Sequence, residues 1–140
     1  MQTFVPYGID FQKNANVLDR QRLGKQRVEG YQILKSLTDY TYGWKSHPAV
    51  KMWSGYVDGL AIYTATMCTE WLRRGYKDSL LPIVCDYIYH DDPFYPGWLY
   101  DEDVMISHRS NLIRKLPEYY GPIWPDVPDN LPYLWPISQK

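Results

Sequence analysis

Residues 16–35 read NVLDRQRLGKQRVEGYQILK, and the spacing within this stretch decides the fold. Leu23, Gly30, Leu34 and Leu37 recur at intervals of three, four and seven, which predicts a helix from an Asn16 N-cap to about Leu37. Each helical residue advances ~100°, so Arg22, Lys25, Gln26 and Glu29 fall along one stripe. Arg20, Arg22, Lys25 and Arg27 all lie within about two and a half turns of the single glutamate, Glu29. Cationic donors around a lone carboxylate make a place to hold phosphates beside a general acid or base. The same stripe also fits a solvated helix face carrying i,i+4 pairs such as Lys25–Glu29. Gly30 costs roughly 1 kcal/mol relative to alanine inside a helix, and close approach of a backbone or ligand is the expected reason for it.

Outward from this helix the chain divides at its turn residues. Residues 1–15 mix aromatics with Pro6 and Gly8 and are expected to form an extended, packed arm. Residues 38–47 form a loop turning at Gly43, after which Pro48 suits the first position of a second helix capped by Ser46 or His47. Trp53, Tyr56, Leu60, Thr64, Met67 and Trp71 continue that helix to Gly75. Residues 76–100 are an irregular connection, with Tyr7, Tyr42 and Trp44 in segments placed to border the first helix. A third helix opens on Asp101, Glu102 and Asp103, ends at Pro117, and turns Val104, Met105, His108, Leu112 and Leu116 inward. The tail carries Pro122, Pro125, Pro128, Pro132 and Pro136, which exclude helix and central strand; its Tyr119, Tyr120, Trp124, Tyr133 and Trp135 are expected to strap the helices. The expected fold is all-α: one compact domain over 1–140, of about three helices with aromatic- and proline-rich connections and tail.

Charge is distributed unevenly around a formal net of −1. Residues 1–51 carry eight Lys/Arg against four Asp/Glu, residues 52–107 three against nine, and residues 108–140 four against three. A basic front and an acidic middle point to one phosphate-facing surface, unless folding mixes the segments. Cys68 and Cys85 lack CxxC or metal-type spacing and are expected to be reduced, packed thiols. His90, Asp91 and Asp92 are contiguous, so no metal site is expected. No apolar run is long enough to span a membrane and no signal peptide opens the chain, so a cytoplasmic monomer without cofactor is expected. Walker A, GxGxxG and GxSxG patterns are missing.

The segments LDRQRLGKQRVE, YGWKSHPAVKMW and SHRSNLIRKLPEYYGP, with EWLRRGY ending the second helix, resemble the pyrimidine-dimer DNA glycosylase/AP-lyase family of the phage endonuclease V type. They resemble most its bacterial and phage branch. The resemblance implies a partner in double-stranded DNA and an N-terminal α-amine that attacks a sugar C1′ to form a Schiff base. It matches Glu29 to the glutamate that assists glycosidic cleavage and elimination, and Gln21 to a polar residue near the extruded nucleotide. Arg22 stands where the family has a histidine, and Val28 where it has an arginine, with Arg27 or Gln26 as substitutes. His47 falls before the second helix, where capping is the alternative role.

The nucleophile is left open between Met1, Gln2 and Lys25, because Gln2 is too bulky for ordinary removal of the initiator methionine. A monofunctional glycosylase using water is a further alternative. An α-amine titrates near 7.7–8.0 in model peptides, below lysine, so a useful fraction is unprotonated at neutral pH. Arg20, Gln21, Arg22, Gln26, Arg27 and His47 form the expected substrate-binding set. Two non-catalytic alternatives remain: a DNA-binding protein that has lost the nucleophile, and a protein-interaction domain using the aromatic tail.

Overall fold

Two long helices that cross at Gly30 organise the chain. The computed structural model describes residues 1–39, 41, 43 and 45–137; the expectation for Tyr42 and Trp44 lies outside them. Among the described residues the helices are α1 (Phe11–Val17), α2 (Arg20–Thr38), α3 (Pro48–Lys51), α4 (Val57–Arg73), α5 (Leu81–Cys85), α6 (Glu102–Lys115) and α7 (Pro117–Tyr120), with a 3-10 turn at Gly97–Tyr100. No strand occurs among them, so the all-α class holds, but seven helices replace the expected three.

The extra helices come from breaks that only distant partners explain. The helix expected to start at Asn16 instead stops at Val17 and restarts at Arg20, with Asp19 as N-cap. The Arg74 guanidinium, at the far end of α4, donates to the carbonyls of Ala15, Asn16 and Leu18 at 2.8–3.2 Å and so satisfies the end of α1. Glu70, fully buried, holds both Arg73 and Arg74. The second break separates α3 from α4, where Gly55 takes a left-handed φ of 88° that a side chain would resist. Trp53 at this corner is fully buried and donates its indole N–H to the Thr3 hydroxyl. In the connection 76–100, expected to be irregular, α5 and the 3-10 turn provide short helical pieces.

The crossing itself depends on Gly30. A Cβ there would stand 2.2 Å from the Thr64 hydroxyl oxygen, so the close approach expected for this glycine is made by α4. Leu23, Ile33, Leu34, Leu60, Met67 and Leu112 join Trp53 and Tyr63 in one buried cluster. Leu37 and Leu116, expected inside, are only partly buried, whereas Ile33 and Ile113 are core. Around the helices the tail runs back as expected: Tyr120 and Trp124 are buried and stacked, Tyr133 reaches the N-terminal arm, and Trp135 packs on Tyr133 and His47. Tyr119 is exposed instead.

The segregation of charge is partly undone by folding, since Arg27 of the basic front pairs with Asp78 of the acidic middle. Cys68 is buried, and burial pushes its thiol up to about 12. Cys85, expected to be packed, is exposed. No described helix is long and apolar enough to cross a membrane.

Candidate active site

One face of α2 and the start of the chain border an open groove of about 700 Å³. Its lining brings together Met1, Arg20, Gln21, Lys25, Arg27 and Glu29 from the expected set, and adds Gly24, Val28, Gln32 and Trp71. Of the expected stripe, Lys25 and Glu29 line this groove, whereas Arg22 and Gln26 do not. A larger cavity, about 840 Å³ around Val50, Tyr56 and Phe94, holds none of the expected site residues.

In the lining of the groove the chain's α-amine meets Glu29. The Met1 nitrogen lies 3.9 Å from Glu29 Oε1, and the Gln2 N–H donates to the same oxygen at 3.3 Å. The Met1 side chain is 8% exposed and Glu29 21%, so the pair is sheltered while its polar atoms border the groove. Gln2 supplies only its backbone N–H to this centre; its side-chain amide donates to Asn111 Oδ1 at 3.4 Å.

Gln26, expected to face substrate, is buried and serves the arm instead. Its amide nitrogen donates to the Gln2 carbonyl at 3.0 Å, and its oxygen accepts from the Phe4 N–H at 3.0 Å and from the Tyr63 hydroxyl at 2.6 Å. A glutamine one turn before Glu29 thus ties the arm to the helix that carries the carboxylate, which fixes the distance between amine and Glu29.

The arginines divide into two groups. Arg20 and Lys25 are exposed and make no ion pair among the described residues. Arg27 is committed elsewhere: it donates to fully buried Asp78 at 2.5 and 2.8 Å and lies over the Trp71 ring, 4.8 Å from its centroid. Arg22 pairs with Asp19 at 3.3 Å, and the Tyr120 hydroxyl donates to the other Asp19 oxygen. Lys115, at the end of α6, is a cation that the sequence pattern did not single out. Burial first, then the charges of Arg22 and Lys25, hold its ammonium below the ordinary lysine value, with Glu29 opposing them.

His47 caps α3, accepting the Ala49 N–H at Nδ1 at 3.0 Å, and does not line the groove. Burial, then the charge of the N-terminal amine, lowers its pKa, which places the imidazole within electrostatic reach of that amine. Of the residues missed, Gln32 follows Glu29 by three and was legible on a helical wheel. Trp71 is legible only as a member of the α4 stripe, and Asp78 carried no sequence signal. No group of three His, Cys, Asp or Glu among the described residues is arranged to hold a metal ion.

The described helices thus set the α-amine against a carboxylate in a groove that also exposes Arg20 and Lys25. The chain belongs to the pyrimidine dimer DNA glycosylase family, whose model matches residues 1–81. At family level it is a DNA-repair glycosylase, and its substrate is DNA. Comparison with curated proteins and with solved structures gives no match. The matched segment holds every groove residue named above, from Met1 to Trp71.

Proposed function

We propose that residues 1–140 form one domain that excises a damaged or modified pyrimidine from duplex DNA and then cuts the strand as an AP lyase, with the Met1 α-amine as nucleophile and Glu29 as acid and base. The observation that carries this reading is the 3.9 Å approach of the Met1 nitrogen to Glu29 Oε1 at the floor of a groove that also holds Arg20, Gln21 and Lys25. Pure DNA binding gains nothing from a carboxylate set among phosphate-seeking cations.

In this mechanism the unprotonated amine attacks C1′ of the extruded nucleotide. The C1′–N bond breaks, and the base leaves with the bonding electrons and takes up a proton. The amine nitrogen, left with two hydrogens and a positive charge, passes one proton to Glu29; its lone pair then forms the C1′=N iminium as the C1′–O4′ bond breaks, and Glu29 returns that proton to the leaving O4′. Glu29 then accepts a C2′ proton, the C3′–O bond breaks with the phosphate as leaving group, and water hydrolyses the imine to free the amine. The carboxylate also offsets the positive charge that develops at C1′. Arg20 and Lys25 hold the flanking phosphates, Gln21 meets the extruded nucleotide, and Arg22 reaches the backbone from its Asp19 pair. Reaching C1′ needs extrusion or kinking at a cost of a few kcal/mol, which a damaged base pair lowers.

Borohydride trapping on duplexes carrying an abasic site, a cyclobutane dimer or a modified pyrimidine tests the proposal, because only an imine is reduced to a stable adduct. The expected result is a covalent complex that peptide mass spectrometry maps to the N-terminal residue. An adduct at Lys25, which lines the same groove, moves the nucleophile. Base release without an adduct makes the enzyme monofunctional, and neither product on any duplex removes the catalytic assignment.

A further inference from the structure

The arm that carries the α-amine is held along both of its edges, and only one of those holds comes from the matched segment. In an extended chain, the N–H and C=O groups of alternate residues point to opposite edges. On one edge Gln26 of α2 takes the Gln2 carbonyl and the Phe4 N–H. On the other edge the Val5 N–H donates to His108 Nδ1 at 3.1 Å, and the Tyr133 hydroxyl donates to the Thr3 carbonyl. His108 accepts at Nδ1, so its proton sits on Nε2, which faces the Leu134 carbonyl at 3.3 Å. The Tyr133 ring stacks on the His108 ring at 4.2 Å and 9°, and the Phe4 ring meets both edge-on. Leu134 is fixed in turn by its N–H to the Ser107 hydroxyl at 3.2 Å.

We infer that the C-terminal tail is the lock that holds the arm in register against Glu29, and that Tyr133 and His108 are positioning residues for the α-amine. Thr3 is two residues from Met1, so its fixed carbonyl leaves the amine at most about 7 Å of chain to move through. Gln26, even with the Tyr63 hydroxyl beside it on the Phe4 N–H and carbonyl, holds one edge only, and a pivot about that edge swings the amine away from Oε1. A misplacement of about 1 Å costs up to about a hundredfold in rate for a step that depends on approach geometry. His108, Tyr133 and Leu134 all lie beyond residue 81, so the lock is a feature of this chain outside the segment shared with the family model. The catalytic part of the inference rests on the proposed amine chemistry; the mechanical part does not.

Tyr133→Phe keeps the ring on His108 and removes only the hydroxyl that reaches Thr3. The test measures single-turnover borohydride trapping on an abasic-site duplex, DNA affinity without borohydride, and amide hydrogen exchange at Phe4 and Val5. The expected result is trapping slowed about tenfold, affinity unchanged within about twofold, and faster exchange at the arm. Tyr119→Phe, at an exposed tyrosine of α7, is expected to match the parent in all three. Should Tyr133→Phe fail to fold, Ser107→Ala releases Leu134 from the other side and is read the same way. Trapping and exchange equal to the parent overturn the lock, as does an affinity loss that accounts for the whole rate loss, since the tail then acts on DNA. A parent that forms no adduct defeats the amine mechanism separately; arm exchange then decides, unchanged exchange overturning the lock and faster exchange sustaining it.

Discussion

Lowering the pH from 7 to 5 is expected to destabilise the fold through His108. This imidazole is fully buried, and burial lowers its pKa from 6.5 to about 3, with the Leu134 carbonyl opposing the shift. In the unfolded chain it takes up a proton as the pH falls through about 6.5; in the folded chain it stays neutral, because a proton on Nδ1 removes the acceptor of the Val5 N–H. The unfolded state therefore binds more protons across this interval, and stability falls as the pH falls. The loss begins near the unfolded pKa and continues towards the folded one. Its slope approaches about 1.36 kcal/mol per pH unit below the unfolded pKa, so between pH 7 and 5 the loss is about 2 kcal/mol, a size that holds for any folded pKa well below 5. That is a large share of the roughly 5–15 kcal/mol of a typical domain. His47, lowered by burial and the nearby amine, changes stability in the same direction, whereas Asp58 and Glu70 have lowered carboxylate values and lose their contribution only at more acid pH. Urea unfolding at half-unit steps from pH 7.5 to 5, for the parent and His108→Asn, isolates the effect: the variant should lose most of the slope even though it starts less stable. A parent whose unfolding free energy is flat over this interval, or a variant with the parent's slope, refutes the argument.

Two further outcomes concern the groove. Glu29→Gln should bind DNA like the parent but lose strand cleavage about a hundredfold or more, the usual range for a missing general acid or base; full cleavage would reduce Glu29 to a surface partner of the amine. Arg20→Ala and Lys25→Ala should each reduce the log–log salt slope of DNA binding by about 0.9 per lost phosphate contact, measured by fluorescence anisotropy. Arg27→Ala should leave that slope nearly unchanged and instead cost about 3 kcal/mol or more in stability, because it strands the buried Asp78 carboxylate. An Arg27 variant with unchanged melting and a reduced slope reverses this division.

Legible in the residues alone were the helical class, the helix that carries Glu29, the start of α6 at its acidic N-cap, and, of the stripe Arg22, Lys25, Gln26 and Glu29, the sharing of one face by Lys25 and Glu29. These rest on spacing within a turn or two, where helix geometry alone decides which side chains are neighbours. The family resemblance was likewise local, carried by short segments, and residues 1–81 bear it out. Tertiary structure decided whatever depends on partners far along the chain. Arg74 ends α1 from 56 residues beyond Leu18, and Asp78 removes Arg27 from the free cations from 51 residues away. The same holds for Gln26, which shares the Glu29 stripe in sequence but is buried once the arm crosses the helix and offers its unpaired backbone groups. A buried N–H or carbonyl must find a partner, and which side chain supplies it depends on how the chain closes on itself. For the arm bearing the amine, those partners come from α2 on one edge and from residues more than a hundred positions away on the other.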